Sequence, residues 1–252
     1  MKPIDRLSIQ LFSARSLEPL AAQVELLAGL GYTKVEPWGG LFNDVPELKR
    51  LLARHGMTAP TAHVGLDRLR ADVRGTVALC KDIGIETIFA PAPPMGEREG
   101  GEDHWRAIGK DLHAIGKAVT GEGLAFGWHN HHWEYGRTAG GKTFLECLFE
   151  EAPEMVWEAD LAWIVRGGAD PVAELKKHAG RVVACHIKDL APAGQCADED
   201  GWADPGHGTM DWPAIRAAMT AAGVKLYVAE HDKPNDVARF ARRARETVAS
   251  WS

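Results

Sequence analysis

The sequence predicts a single-domain α/β chain, a (β/α)8 TIM barrel over residues 1–252. Three observations predict it. Strand-like and helix-like segments alternate along the whole chain, there are eight such pairs, and most connections between them are short. Parallel strands joined by helices bury the strands under the helices, and eight is the number that closes such a sheet on itself. A doubly wound open sheet is the competing arrangement. Against it, no glycine-rich phosphate turn follows the first strand, and the chain shows no split into two halves. No linker, low-complexity tract or close internal repeat divides the sequence.

The first unit is a strand over Leu7–Phe12 and a helix over Leu17–Leu30, stopped by Gly31, a residue suited to the left-handed turn after a helix. Thr33–Glu36 is the second strand, and Val45–His55 its helix, ending at Gly56. Thr58–Val64 makes a poorer third strand, because Pro60 offers no ladder donor. Leu66–Ile83 follows as one helix up to Gly84, and Glu86–Ala90 is the fourth strand. The loop after it, PAPPMGEREGGED, is too polar and too rich in glycine and proline to be regular. His104–Thr120 is helical, with Asp103 as its N-cap. Leu124–Asn130, Met155–Asp160, Arg181–Ile187 and Val224–Glu230 are strands five to eight. Their helices are Thr143–Glu151, Pro171–Ala179 with proline near its start, Trp212–Ala222 after a long loop over Lys188–Gly208, and Asp236–Val248.

Composition narrows the function. The chain is 45% hydrophobic and 25% charged, ample for a large core. A formal charge of −6 and a pI near 6.0 argue against a nucleic-acid or anionic-membrane surface. The N-terminal stretch lacks the long apolar core of a signal peptide, and no apolar run reaches the ~18 residues of a membrane span. Cys80, Cys147, Cys185 and Cys196 show no CxxC spacing and read as reduced thiols of a cytoplasmic protein.

In a barrel of this kind, chemistry sits at the C-terminal ends of the strands. Polar residues recur there. Gln10 lies near the end of strand one, Glu36 and Trp38 end strand two, and His63 ends strand three. Leu124–Tyr135, LAFGWHNHHWEY, ends strand five with His129 and His131 on one face and Asn130 on the other. Glu158 and Asp160 end strand six, His186 and Lys188 strand seven, Glu230 and Asp232 strand eight. Charged groups at apolar strand ends are costly unless paired or metal-bound. Asp160, His186, Glu230 and a strand-five histidine form a mixed oxygen and nitrogen set. It suits Mn²⁺ first, with Mg²⁺, Co²⁺ or Zn²⁺ accommodated, and offers no thiolate. Periodicity leaves His129 and His131 both open as the strand-five ligand.

Each feature alone has a plainer reading. His129, His131 and His132 could form a surface polar cluster, Glu230–Asp232 a solvated turn, and Trp128, Trp133, Trp157 and Trp163 part of the core. His55, His104, His113 and His178 lie in helical segments and read as surface residues. The joint pattern at five strand ends is what favours a site.

Seven stretches carry a resemblance: IQLFSAR, KVEPWGG, WHNHHWEY, DLAWIVRGGADP, RVVACHIKDL, GHGTMDWPAI and VAEHDKP. In this order, across nearly the whole chain, they resemble the sugar phosphate isomerase/epimerase branch of the xylose isomerase-like TIM-barrel superfamily. The resemblance implies a divalent metal on His129, Asp160, His186 and Glu230, with His131 in reserve. It implies substrate or acid–base roles for His63, Glu158, Lys188 and Glu36, and weaker ones for Gln10, Trp38, Asn130, Glu134, Trp163 and His207. Many relatives carry glutamate where His129 stands. A neutral imidazole there leaves the ion more positive and a stronger Lewis acid.

The activity so implied is a metal-dependent isomerase or epimerase acting on a sugar, keto-sugar or cyclitol. Glu230 or Glu158 would remove the proton next to a carbonyl, the metal and Lys188 would stabilise the enediolate, and His63 would hold or protonate a hydroxyl. The expected partner is this small molecule, without nucleic acid or membrane. A homo-oligomer is also entertained, in which Ala92–Glu102 covers a partner's site. Three rival activities are carried: a lyase or dehydratase on a keto-sugar or inosose, a phosphodiesterase resembling endonuclease IV, and a non-catalytic sugar-binding barrel. The acidic charge weighs against the phosphodiesterase.

Overall fold

All eight expected strands form, and every neighbouring pair in the sheet is parallel. The computed structural model describes residues 2–251. The barrel strands are β1 (Leu7–Gln10), β2 (Val35–Glu36), β3 (Thr61–His63), β4 (Thr87–Ala90), β5 (Ala125–His129), β6 (Val156–Asp160), β7 (Val182–Ile187) and β8 (Leu226–Ala229). They follow the order β2-β1-β8-β7-β6-β5-β4-β3. Its two ends meet. Val35 N donates to Thr58 O at 2.9 Å, Thr58 N to Thr33 O at 3.0 Å, and His63 N to Pro37 O at 2.9 Å. The seam is thin because β3 begins only after Pro60, which has no N–H to give.

The helices are α1 (Leu20–Gly29), α2 (Val45–Arg54), α3 (Leu66–Ala71), α4 (Val73–Ile83), α5 (Glu102–Gly121), α6 (Phe144–Glu151), α7 (Leu161–Arg166), α8 (Pro171–Lys177), α9 (Trp212–Ala221) and α10 (Val237–Ala249). Gly31 and Gly84 take the left-handed turns expected of them, with φ of 86° and 94°.

Four expectations need correction. Leu66–Ile83 is two helices, because Asp72 turns extended and its carboxylate accepts from Gly75 N at 2.8 Å. Asp103 is not the cap of α5. That helix starts at Glu102 with Gly101 as N-cap, so Asp103 lies in its first turn, where an acid meets the positive end of the dipole. The loop after Lys188 is not irregular throughout: Asp189–Leu190 pairs antiparallel with Trp202–Ala203. Asp189 holds it, accepting from Leu190 N, Met210 N, Gly206 N and Trp212 Nε1 at 2.7–3.1 Å. His178 is not a surface residue, since its ring packs against Phe149 and Trp157 at 5.1 and 5.5 Å. Beyond these, α7 is an element the sequence reading lacks. Asp160 starts it by accepting from Trp163 N at 2.8 Å.

Inside the barrel, Phe89, Ala184, Leu226 and Val228 pack apart from the main core. Ala184 shares a strand face with His186, so this apolar layer underlies the polar strand ends. Gly127 makes room for it, as a Cβ there would stand 2.5 Å from the Phe89 ring. Cys80, Cys147 and Cys185 are buried free thiols. Among the described residues no helix is long and apolar enough to cross a membrane.

Candidate active and metal site

The parallel register places the strand ends at one level. His129 pairs with Glu158 and Asp160 with His186, and period two turns alternate residues inward. Glu158 is the centre. Its Oε2 lies 2.6 Å from His63 Nε2, 3.2 Å from His186 Nε2 and 3.3 Å from His129 Nδ1. Glu36 Oε1 stands on the same imidazoles, 2.9 Å from His186 Nε2 and 3.1 Å from His63 Nε2. Gln10 Nε2 donates to that oxygen at 2.8 Å, and the Thr61 hydroxyl donates to the other. The His63 and His186 rings stack nearly parallel.

A second layer begins at the far side of His186, whose Nδ1 lies 2.9 Å from Glu230 Oε2. Lys188 Nζ is 2.8 Å from that same oxygen, 3.1 Å from Asp160 Oδ2 and 3.0 Å from Asp232. It faces the Trp202 ring at 4.7 Å and the Trp163 ring at 5.4 Å. Burial opposes the charge of Lys188, but Asp160, Asp232 and Glu230 outweigh it and raise its pKa. It stays an ammonium.

Burial, and then the neighbouring His186 and His63, lower the His129 pKa to about 4, so its imidazole is neutral and a competent ligand. Burial followed by His129 and Lys188 lowers His131 as well. Burial opposes ionisation of Glu158, yet His186 and His63 outweigh it and lower its pKa. Glu36 moves up, through burial and then repulsion from Glu158.

A metal ion would fit this set. His129 Nδ1, His131 Nδ1, Glu158 Oε1 and Asp160 Oδ2 are buried without a hydrogen-bond partner. The 3.1 Å approach of Lys188 to Asp160 is a charge contact without hydrogen-bond geometry. Two four-residue groups have donor atoms within 4.8 Å of one another: His63, His129, Glu158 and His186, and His129, Asp160, His186 and Glu230. They share two imidazoles, and the mixed nitrogen and oxygen donors suit a first-row divalent ion.

Above the strand ends opens a cavity of about 370 Å³, walled by Phe12, Trp38, His63, His129, His131, Arg98, Glu230 and Asp232 among others. That is room for a small polar molecule. Phe12 and Trp38 meet edge to face at 5.3 Å. A larger groove of about 940 Å³ on the outer wall brings one charged residue, Arg216, and no acid–base pair.

A family model described as xylose isomerase-like TIM barrel matches residues 24–250. The chain belongs to the xylose isomerase-like TIM-barrel family. Its sequence is 23% identical over 266 residues to the rhizopine catabolism protein MocC of Rhizobium meliloti, covering 92% of this chain and 81% of that one. Its fold is similar to a sugar phosphate isomerase/epimerase from Parabacteroides distasonis, at a TM-score of 0.78 and 21% identity, covering 96% of each chain. It is also similar to the IolI protein solved with a zinc atom, at a TM-score of 0.75 and 17% identity, covering 97% and 98%.

In this xylose isomerase-like barrel, Glu36, His63, His129, Glu158, Asp160, His186, Lys188 and Glu230 converge as the sequence suggests. Trp38 and His131 reach the cavity wall. Glu158 lies fully buried beneath it. Gln10 sits below as the donor to Glu36, and Trp163 packs against His131 at 5.3 Å. Three residues are placed elsewhere. Asn130 braces β5 to β6, accepting from Trp157 Nε1 and Asp160 N at 2.9 Å each. Glu134 is buried, accepting from Trp128 Nε1 and His131 N. His207 is exposed on the loop after Trp202–Ala203.

Sequence reasoning missed Phe12, Arg98 and Trp202. Arg98 lies in the loop after β4, on the face where such barrels carry their sites, within the Ala92–Glu102 segment entertained only as the cover of a partner's site.

Proposed function

We propose that this chain is a divalent-metal-dependent isomerase or epimerase acting on a sugar, keto-sugar or cyclitol. The observation that carries the reading is the convergence of His129, His186 and four buried carboxylates, some of their donor atoms unpaired, beneath a cavity of small-molecule size. The names of similar proteins, an isomerase/epimerase and a barrel solved with zinc, support it. Mn²⁺ is the ion first proposed, with Co²⁺, Zn²⁺ or Mg²⁺ as substitutes.

When bound, the ion supplies Lewis acidity to a substrate carbonyl oxygen. Glu230 is the base, because it is the glutamate among the clustered carboxylates that reaches the cavity wall. Burial raises the cost of its charge, but Lys188 and His186 outweigh burial and keep it ionised. It takes the proton from the carbon next to the carbonyl. His131, with its Nδ1 unpartnered, holds a substrate hydroxyl, and Phe12 and Trp38 receive the apolar face of the ring. Glu230 and Asp232 make the wall acidic. Its one permanent cation, Arg98, is already bonded to Pro93 O and lies over Trp133. This favours a substrate without a phosphate. The buried free thiols fit a reducing compartment such as the cytoplasm.

The test is proton exchange in D₂O with Mn²⁺, over a panel of unphosphorylated keto-sugars and inososes. Deuterium is expected at the carbon beside the carbonyl for at least one of them. Glu230→Gln is expected to slow that exchange about 10²- to 10⁴-fold. No exchange over the whole panel by metal-loaded protein, or full exchange by the variant, would contradict the reading.

A further inference from the structure

We infer that Arg98 is a specificity-determining residue of the cavity, gripping two neighbouring hydroxyls at the end of the substrate away from its carbonyl, and that Arg70, outside the cavity, holds Arg98 in place through Glu97. This deepens the isomerase reading above and rests on it for the substrate class.

Arg98 differs from the other cations around the barrel mouth. Lys188 is committed to three carboxylates. Arg15 gives Nη1 and Nη2 to the carbonyls of Phe12 and Asp232, at 2.7 Å each. Arg98 lines the cavity, and its one hydrogen bond runs from Nε to Pro93 O at 3.2 Å. Among the described residues it enters no ion pair, and Glu97 beside it is taken by Arg70 instead. Both terminal nitrogens of the Arg98 fork therefore make no hydrogen bond within the protein, and each is a donor.

The fork is nevertheless fixed. Pro93, which accepts from its Nε, is buried. The guanidinium carbon lies 4.4 Å from the centre of the Trp133 ring, and His131 stacks on the same indole at 4.6 Å. One indole thus carries two side chains that both wall the cavity. His131 holds one substrate hydroxyl, and Arg98 addresses those that follow it. Arg98 comes from the loop after β4, whereas the metal-binding side chains come largely from strands five to eight. It therefore meets the part of the substrate that the ion does not hold.

The loop owes its shape to a polar clamp. Met95–Glu97 is a single 3-10 turn whose Met95 is 82% exposed, so its tip has no apolar anchor. Arg70, on the exposed side of α3, takes both carboxylate oxygens of Glu97 at 2.8 and 2.9 Å and Asp111 of α5 at 2.7 Å. His104 Nε2 lies 2.7 Å from the Glu97 carbonyl. A bidentate pair fixes direction as well as distance. It sets the turn from which Arg98 leaves, one residue on.

A planar fork with parallel N–H groups matches two oxygens side by side, either a carboxylate or a vicinal diol. Glu230 and Asp232 in the same wall repel an anion. A neutral diol is the better match, and it is what an unphosphorylated keto-sugar or inosose offers.

The experiment pairs changes in the protein with changes in the ligand. Deuterium exchange in D₂O with Mn²⁺ is measured for the panel compound that exchanges fastest and for its analogue lacking the hydroxyl farthest from the carbonyl. In wild type the analogue is expected to have a KM about ten- to a hundredfold higher. Arg98→Met should impose a similar rise on the parent compound and abolish the difference between the two. Arg98→Lys keeps the charge without the fork and should not rescue. Arg70→Met should raise KM about two- to fivefold. No preference in wild type, a full preference in Arg98→Met, or full rescue by Arg98→Lys would overturn the role of Arg98. An unchanged KM in Arg70→Met would overturn the clamp. Xylitol and myo-inositol, which carry the diol but no carbonyl, separate this inference from the isomerase reading. Their saturation-transfer NMR signals are expected with wild type and lost with Arg98→Met. Equal signals, or none with wild type, would overturn the inference. Arg98-dependent polyol binding with no exchange over the panel would overturn the isomerase reading alone. The wild-type comparison of parent and analogue decides even if a variant fails to fold.

Discussion

His186 joins the two layers of the site, one ring nitrogen in each, and this is the clearest case of chemistry set by a single side chain. Period two places His186 inward with Glu158 and Glu230, so the convergence of these residues was legible from strand ends alone. Their grouping was not. The choice between His129 and His131, and between two interlaced sets of four, depends on distances that only the closed barrel supplies. Lys188 is similar: its position two after His186 was visible, but its three carboxylate partners come from two other strands.

A residue away from the site yields a pH prediction. Burial, and then Lys177 and Arg181, lower the His178 pKa to about 4, against 6.5 in an exposed chain. Glu174 Oε2, 3.6 Å away, does not offset this. The folded protein therefore refuses a proton that the unfolded chain accepts between these values. The stability from neutral His178 is complete above about pH 6.5 and is lost as pH falls toward 4. His231, also lowered to about 4 by burial, adds in the same sense. Between pH 7 and pH 5 the wild-type urea midpoint should lose ground relative to that of His178→Gln. A constant difference between the two midpoints would contradict the assignment.

At the scale of elements, strands and long helices were readable because apolar periodicity runs through them. What periodicity does not encode was missed. The break at Asp72 depends on one carboxylate choosing Gly75 N over solvent, in a stretch whose apolar pattern continues unbroken. The ribbon at Asp189 depends on four donors brought from 1 to 23 residues away. Gly127 is a strand element whose demand is now visible. Its missing Cβ admits the Phe89 ring, and Val156 O lies 2.7 Å from the same point. Gly127→Ala should cost about 1–3 kcal/mol by overpacking. Thermal unfolding checks this, and an unchanged melting temperature would show that β5 and Phe89 yield more easily than their packing suggests.

At the scale of the molecule, counting eight strand–helix units was enough to give the barrel, since the count and the short connections leave few topologies. The seam between β2 and β3 was foreshadowed only by Pro60. The lining of the cavity was the least legible feature. Phe12, Trp38 and Arg98 arrive from three separate loops, and a linear sequence gives no measure of how these meet.

The proposed function rests on one claim, that the barrel mouth holds a single divalent ion for proton transfer beside the carbonyl of an unphosphorylated keto-sugar or inosose. Both donor layers require His186, so one measurement tests the claim whichever layer binds. Wild-type and His186→Ala chains are loaded with Zn²⁺, desalted and analysed for metal, with circular dichroism to verify the fold. One ion per wild-type chain and none per folded variant is the predicted result. A folded His186→Ala chain that keeps its full ion would contradict the account.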